Sequence, residues 1–212
     1  MPSPPPRTRP PRLSELDLEI ATERLRLRPF VEADVEDVWP IVSDPTFPVH
    51  MSWSAHADRS ETRAFIQAQT DAIASDTGVT WALVHDGRAV GAIGLAGIRW
   101  QLNALRVDHA ELGYWLARPL WGQGLMTEAA RAVVQFGFDD LGLHKITVGC
   151  LPENPGSQRV IEKTGFRHVG RRREDVWRDG RWSDHLRYEL TIGDWSDVST
   201  TMPIAIGRAR ST

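Results

Sequence analysis

The chain has 212 residues, of which 41% are hydrophobic and 25% are charged, a composition typical of one globular domain. The formal net charge is -3 and the pI is about 6.2, so bulk charge argues against a nucleic-acid or anionic-membrane partner. No apolar run approaches the roughly 20 residues that a membrane span needs. The single cysteine, Cys150, excludes an intrachain disulfide and favours the cytoplasm.

The two ends of the chain differ in composition from its middle. The opening stretch, MPSPPPRTRPPRL, is rich in proline and arginine, which predicts a disordered arm over residues 1–18. The segment after Trp195 lacks regular hydrophobic spacing, which predicts a flexible tail over residues 196–212. One folded domain is therefore expected over residues 19–195.

The domain begins with a strand pattern and two helix patterns. ERLRLRPF, at 23–30, alternates apolar and basic residues, as a half-buried strand does. Hydrophobic spacing then predicts helices over 32–43 and 60–75, the second with Asp58 or Ser60 as its N-cap.

Three strands and a long helix are predicted next. The strands over 79–85 and 89–100 are joined by Asp86-Gly87, a pair typical of a two-residue hairpin turn. HAELGYWLA, at 109–117, predicts a third strand, and a double glycine separates it from a helix over about 123–140.

The last third alternates in the same way. HKITVGCL predicts a buried strand, and a helix over 155–164 follows with Asn154 as its N-cap and Pro155 at its first position. Two closing strands within 166–190 are joined at Asp179-Gly180. The order β-α-α-β-β-β-α-β-α-β-β predicts a mixed α/β sheet.

The glycine pair between the third strand and the long helix indicates an anion site. Main-chain N–H groups at a helix start lack partners, and the helix dipole adds positive charge there. Gly122 and Gly124 lack Cβ atoms, so a phosphate could approach the main chain closely. A tight turn that needs positive φ explains the glycines equally well. A dinucleotide fingerprint is excluded by Thr127 at the third glycine position, and a P-loop by Leu125 after the second glycine.

Two longer motifs give the chain a family resemblance. ELGYWLARPLWGQGLMTEAARAVVQFGF and LHKITVGCLPENPGSQRVIEKTGF resemble the GNAT acyltransferases, in particular the ribosomal-protein N-terminal acetyltransferases of the RimJ/RimL type, over about residues 22–192. The resemblance implies an α/β (α+β) GNAT fold, with a central mixed, mostly antiparallel sheet of about seven strands, about four helices, and strands splayed where acyl-CoA binds. It also implies acetyl-CoA as co-substrate and no metal.

In this family the loop at 119–124 binds the coenzyme A pyrophosphate. Its usual first residue is Gln or Arg, but Pro119 stands there in this chain, after Arg118. The resemblance also implies that a main-chain N–H near Leu116 polarises the thioester carbonyl and that Asn154 holds the pantetheine arm. The cofactor-binding residues implied in this way are Trp115, Leu116, Arg118, Trp121, Gly122, Gln123, Gly124, Met126, Thr127, Asn154, Ser157 and Arg159.

Two side chains are candidates for proton transfer. Glu111 lies on the strand before the glycine loop, where a carboxylate could take a proton from an amine. Its alternative is a plain ion pair with an arginine, and His109 is a weaker candidate. Ser157, in NPGS, matches the family residue that protonates the leaving thiolate, although it could simply satisfy N–H groups of the helix. Tyr188 is the reserve candidate for this acid.

The resemblance implies an acetyl-CoA-dependent N-acetyltransferase acting on a primary amine. An α-amine, with a pKa of about 7.7–8.0, is far more often neutral near pH 7 than a lysine amine, which favours a peptide N-terminus as acceptor. Acetylation of a small amine, as in antibiotic detoxification or self-immunity, and a non-catalytic acyl-CoA-binding module stay as alternatives. Either a monomer or a homodimer is expected.

Overall fold

The computed structural model describes residues 10–178, 180–201 and 207. In these ranges eight strands form one sheet in the order β1-β2-β3-β4-β5-β6-β8-β7. Only β5 and β6 are parallel; all other neighbours are antiparallel. The strands are β1 Ile20–Ala21, β2 Arg26–Pro29, β3 Gly78–His85, β4 Arg88–Leu102, β5 Leu105–Leu116, β6 Lys145–Cys150, β7 Arg167–Arg178 and β8 Arg181–Thr191.

Helices cover both faces of this sheet. The α-helices in the described ranges are α1 Val35–Val42, α2 Arg59–Ala74, α3 Leu125–Asp139, α4 Pro155–Thr164 and α5 Ile192–Thr201. Short 3-10 turns lie at Leu13–Glu15, Glu32–Asp34, Phe47–His50 and Arg118–Leu120. In the described part of the chain, no helix has the length and apolar character to cross a membrane.

Local sequence signals explain where these elements begin. Asp58 caps α2 by accepting hydrogen bonds from the N–H groups of Ser60 and Glu61. The predicted hairpin turn between β3 and β4 is confirmed, with positive φ at Asp86 and Gly87. At the closing hairpin Gly180 also has positive φ, whereas Asp179 lies outside the described residues.

The sheet opens between β5 and β6. Their parallel pairing runs only from His109–Lys145 to Glu111–Thr147, although β5 continues to Leu116 and β6 to Cys150. Beyond Glu111 the two strands therefore diverge, and the main chain of the last part of β5 faces a gap. The implied splay of the sheet is confirmed.

The core has two parts, one on each face of the sheet. The larger part includes α3 and the fully buried Trp81, whose ring meets Phe136 edge-on at a centroid distance of 5.2 Å. The smaller part packs α1 and Phe47 against Trp115 of β5. Successive residues of β5 therefore face different environments, because side chains alternate along a strand.

The structure has more elements than the sequence patterns predicted. The sheet contains β1 in addition to the expected strands, and α5 follows the last strand. Leu13 is buried in the larger core, and α5 continues beyond Trp195. Packing thus extends outside the predicted 19–195 limits, because apolar side chains on both flanks help to close the core. Residues 1–9, 202–206 and 208–212 of the predicted arm and tail lie outside the described residues.

Candidate active site

The glycine loop between β5 and α3 has an open main chain. Gly122 and Gly124 have φ of 76° and 81°, a left-handed conformation that favours glycine. A Cβ at Gly122 would meet nothing within 4 Å, so the glycine is required by the turn and leaves free space above it. Gly124 is the N-cap of α3 and makes no side-chain cap hydrogen bond. The N–H groups of Met126 and Thr127, in the first turn, therefore lie next to an open cradle that suits an anion.

An arginine from the start of the domain anchors this loop. The Arg24 guanidinium donates to the Gln123 carbonyl (2.9 Å) and to the carboxylate of Glu128, with an Nη2–Oε2 distance of 2.6 Å. The Thr22 hydroxyl donates to the same carboxylate at 2.6 Å. Burial works against ionisation of Glu128, but these hydrogen bonds outweigh it and lower the pKa of Glu128. The loop is thus held from the connection between β1 and β2 as well as by its own turn.

The side chains before the glycines point away from the cradle. Arg118 donates to the hydroxyl of Thr46 at 2.8 Å and to the Thr46 carbonyl, and its guanidinium lies 5.8 Å from the ring centre of Trp121. The arginine side chain thus contacts the loop between α1 and α2, and its contact with the cofactor stays a prediction. The Trp121 indole donates to the Leu116 carbonyl at 2.6 Å.

A main-chain hydrogen bond shows which way the peptide groups point at the end of β5. The Ala117 N–H donates to the Val90 carbonyl of β4 at 2.8 Å. Because N–H groups alternate in direction along a strand, the N–H and the carbonyl of Leu116 face the opposite side, toward the gap with β6. This is the geometry expected of a main-chain donor for a thioester carbonyl.

A second cluster lies at the start of α4. Asn154 caps the helix by accepting from the Ser157 N–H at 3.0 Å, which confirms the predicted cap. The Ser157 hydroxyl lies 2.8 Å from the hydroxyl of Tyr114, and Ser157 is also close enough to the thiol of Cys150 to influence its pKa. We call Tyr114, Cys150 and Ser157 the Ser157 cluster. Arg159, one turn into the helix, is exposed.

Burial keeps this cluster uncharged. Burial raises the pKa of Cys150 to about 11 and also raises the pKa of Tyr114, and in each case the interaction with Ser157 opposes the shift only in part. A neutral phenol can donate a hydrogen bond to the serine hydroxyl, so Ser157 can pass on a proton and receive another. Cys150 is a free, buried thiol.

Glu111 lies on the other face of β5 from Tyr114. Arg187 of β8 donates to its Oε1 at 2.8 Å, so the carboxylate does form an ion pair with an arginine. The Glu111 side chain is still 47% exposed, against 18% for Arg187, so the carboxylate stays accessible. His185 lies on the same side of β8, and a Cβ at Gly149 would come within 2.6 Å of its ring. We call the surface formed by Glu111, Gly149, His185 and Arg187 the Glu111 groove.

Two histidines beside this carboxylate are poor proton binders. Burial, followed by the charge of Arg187, lowers the pKa of His185 below its ordinary 6.5. Burial, followed by the charge of Lys145, lowers the pKa of His109, whose Nε2 lies 2.9 Å from the hydroxyl of Thr147. Both rings are therefore neutral near pH 7, and each has a ring nitrogen that can accept a hydrogen bond.

Aromatic rings close the far end of the groove. Trp115 is 6% exposed and meets Phe47 edge-on at 5.8 Å and Trp53 at 6.4 Å. Its indole is therefore part of the smaller core, so only its main chain is available to a cofactor in the gap.

The structure brings the predicted residues together in two groups and adds partners that sequence reasoning missed. Arg24, Tyr114, His185 and Arg187 were not selected from the sequence. Each is distant in sequence from the residue that it contacts. The one available signal was strand alternation, which places Tyr114 on the face of β5 opposite Glu111. Tyr188 lies in the core with its ring 5.1 Å from that of His168. Within the described ranges, no three His, Cys, Asp or Glu side chains are arranged to hold a metal ion.

Comparison with known proteins agrees with this geometry. Residues 24–167 match the family described as "Acetyltransferase (GNAT) domain". The chain belongs to the GNAT acetyltransferase family. That match contains β2 to β6 and ends at the first residue of β7, so it includes both the glycine loop and the gap in the sheet.

Individual relatives match shorter parts of the chain. "Probable N-acetyltransferase YjcK" of Bacillus subtilis is 41% identical over 100 residues, which is 47% of this chain and 53% of the relative. "[Ribosomal protein uS5]-alanine N-acetyltransferase" of Escherichia coli is 32% identical over 85 residues, 40% of this chain and 44% of the relative. The chain thus matches about half the length of these relatives.

Solved structures match almost the whole fold. "Mycobacterium smegmatis RimJ in complex with CoA-disulfide" has a TM-score of 0.76 at 20% identity, with 88% of this chain and 95% of that chain covered. At this identity the similarity establishes the fold of this GNAT protein.

Proposed function

We propose that this GNAT protein transfers an acetyl group from acetyl-CoA to a primary amine, and that the acceptor is the N-terminal α-amine of a peptide or protein. One observation carries the proposal. The sheet opens beyond Glu111 and Thr147, next to a glycine loop with an exposed helix start, and candidate proton-transfer groups lie on both sides of that opening. Binding modules need the opening and the loop but not the proton-transfer groups.

The main chain of the loop fits a pyrophosphate. The cradle above Gly122 has room for the phosphate oxygens, and the N–H groups of the first turn of α3 would donate to them. Gln123 would contact the pyrophosphate through its main-chain N–H. Its carbonyl already accepts from Arg24, and its side chain donates to the Pro119 carbonyl at 3.0 Å. Asn154 would hold the pantetheine arm with its amide nitrogen, since its Oδ1 is committed to the cap.

The chemistry needs a neutral amine, an oxyanion donor and a proton for the leaving sulfur. Acetyl-CoA supplies the activated carbonyl carbon. Glu111 accepts the proton of the incoming ammonium, directly or through water, and the Leu116 N–H stabilises the oxygen of that carbonyl as the N–C bond forms. Ser157 donates its hydroxyl proton as the C–S bond breaks, and a proton from solvent then restores the serine hydroxyl, while Tyr114 stays neutral and hydrogen-bonded to it. No covalent enzyme intermediate is required, so both substrates are bound together.

Two arguments favour the N-terminal amine. An α-amine has a pKa of about 7.7–8.0, so one carboxylate suffices to deprotonate it near neutral pH. The matched relative from Escherichia coli carries a name that specifies the alanine of a ribosomal protein. With a free, uncharged Cys150, the reducing cytoplasm is the expected location, and a monomer or homodimer is the expected state.

A screen of acceptors tests this proposal. The protein and acetyl-CoA are incubated with peptides that have free N-termini, N-blocked peptides with lysine amines, and small amines that include aminoglycosides and polyamines. Mass spectrometry then identifies products heavier by one acetyl group. Acetylated N-termini are the expected result. Products from small amines alone would replace the peptide acceptor by a detoxification role, and bound acetyl-CoA without any product would leave a non-catalytic binding module.

A further inference from the structure

A basic pocket continues the face of the sheet that carries Glu111. It has a volume of about 380 Å³ and lies where β4, β5 and β6 meet. Two of its lining side chains are apolar, Leu102 and Val107, and the rest are basic or imidazole groups. These are Arg99, Arg106, His109, His144 and Lys145.

Strand pairing places this pocket in line with the Glu111 groove. Arg99 of β4 and Lys145 of β6 both pair with His109, on opposite sides of β5. His109 and Glu111 are two residues apart and therefore share a face. At about 3.3 Å per residue, the pocket begins about 7 Å from Glu111 and extends to about 15 Å along β5.

The ion pairs around the pocket leave one cation in excess. Arg106 is paired with the buried Asp108 at 2.7 Å, and Lys145 lies 3.4 Å from Glu189. Within the described ranges, no ion pair is seen for Arg99, whose side chain is exposed. The positive charges of Lys145 and Arg99 also contribute to the lowered pKa of His109. A protein with a net charge of -3 thus keeps a positive site at this end of the groove.

We infer that the pocket binds an anionic group of the acceptor, a carboxylate or a phosphate located about 7 to 15 Å from the amine that is acetylated. This inference rests on the proposed function and specifies its substrate class. In an extended peptide, which advances about 3.3 Å per residue, the anion falls on an acidic side chain at about the third to fifth residue. In a small molecule, it is a carboxylate or phosphate at the same distance from the nitrogen.

Matched acceptors test the inference directly. Three peptides with the same free N-terminus carry Asp, Asn or Lys at positions three to five, and two small amines of equal length end in a phosphate or an alcohol. The expected order of kcat/KM is Asp above Asn above Lys, with the Asp peptide about 10-fold better than the Asn peptide. A preference confined to the phosphorylated small amine would identify a small molecule as the source of the anion.

Charge variants at one position connect the preference to the pocket. Arg99→Gln should remove most of the preference for Asp, and Arg99→Glu should reverse it in favour of the Lys peptide, with KM for acetyl-CoA unchanged. Lys145→Gln is a second variant with the same expected direction. Arg26→Gln is the matched control, because Arg26 is an exposed arginine of β2, away from the pocket, in an ion pair with Glu19.

The outcomes separate this inference from the function on which it rests. Equal rates for the Asp, Asn and Lys peptides would overturn the anion site and leave the acetyltransferase proposal intact. So would a charge preference that is unchanged in Arg99→Glu. If no acceptor is acetylated although acetyl-CoA binds, the proposed function fails, and the inference fails with it.

Discussion

At the start of α3 the groups available to a ligand are main-chain N–H groups, whereas along the Glu111 groove they are side chains. The loop is determined by the left-handed turns at Gly122 and Gly124 and by the clamp from Arg24. The groove is determined by charges that meet across β5, β6 and β8, such as the pair of Glu111 and Arg187. Main-chain N–H groups suit a part of the ligand that is the same in every reaction, such as a phosphate. Side chains of the groove can be altered one at a time by substitution. Substitutions in the two regions should therefore affect different kinetic constants.

The largest expected effects come from the side chains that are proposed to transfer protons. Ser157→Ala and Glu111→Gln should each lower kcat by about 100-fold, because positioned acids and bases typically contribute 10²- to 10⁴-fold. The dissociation constant of acetyl-CoA should change little. Steady-state kinetics and calorimetric titration measure the two quantities.

Ser196→Ala is the control for this pair, since Ser196 is an exposed helix serine that donates to the Ile192 carbonyl. It should leave both constants unchanged. Wild-type turnover in both Ser157→Ala and Glu111→Gln would show that the proton-transfer roles are wrong.

A smaller effect is expected from the main chain of the loop. Gly122→Ala should weaken acetyl-CoA binding by about 10-fold, because a Cβ in the left-handed region costs about 1–2 kcal/mol and the altered turn must be restored on binding. Gly87→Ala is a matched control, since Gly87 has φ of 79° against 76° for Gly122, and both have open space around an added Cβ. Both variants should lose thermal stability, but only Gly122→Ala should lose affinity. Equal affinities would remove the loop from the cofactor site.

The clamp on the loop should contribute less again. Arg24→Gln should weaken acetyl-CoA binding about 3-fold and lower the free energy of unfolding by about 1 kcal/mol, because a half-exposed charged pair contributes little. A double-mutant cycle with Glu128→Gln measures their coupling. Arg26→Gln, which breaks the ion pair between Arg26 of β2 and Glu19, controls for loss of surface charge. Zero coupling between positions 24 and 128 would contradict the clamp.

The smallest effect concerns pH and distinguishes the groove from the loop. Burial, followed by the charge of Arg187, lowers the pKa of His185, so the unfolded chain binds the proton more readily than the folded protein. Stability from this group is therefore complete above the ordinary pKa of 6.5 and decreases as the pH falls below it. Thermal unfolding at pH 7.5 and 5.5 should show a smaller loss of Tm in His185→Gln than in wild type. His144→Gln, at an exposed histidine, is the control, and an identical loss in all three proteins would contradict this account.

Local signals predicted much of the fold. Hydrophobic periodicity and turn residues located the hairpin at Asp86-Gly87, the cap at Asn154 and the long helix after the glycines, which begins at Leu125 instead of residue 123. The short strand β1 and the helix α5 were missed, because a two-residue strand has no periodicity and α5 has only a weak apolar face. Such elements form because a neighbouring surface needs cover, and no local pattern encodes that need.

The sequence by itself determined the chemistry available at the site. It specified the glycines of the loop, the serine of NPGS in the first turn of a capped helix, and the carboxylate of Glu111. Turns, caps and strand faces depend on residues that are close in the chain. Tertiary structure alone decided which partners these groups have. It directed Arg118 to Thr46, brought Arg187 to Glu111 and joined Tyr114 to Ser157, over separations of 72, 76 and 43 residues. Contacts of this kind arise from the packing of whole strands and helices, so they became visible only when the sheet was assembled.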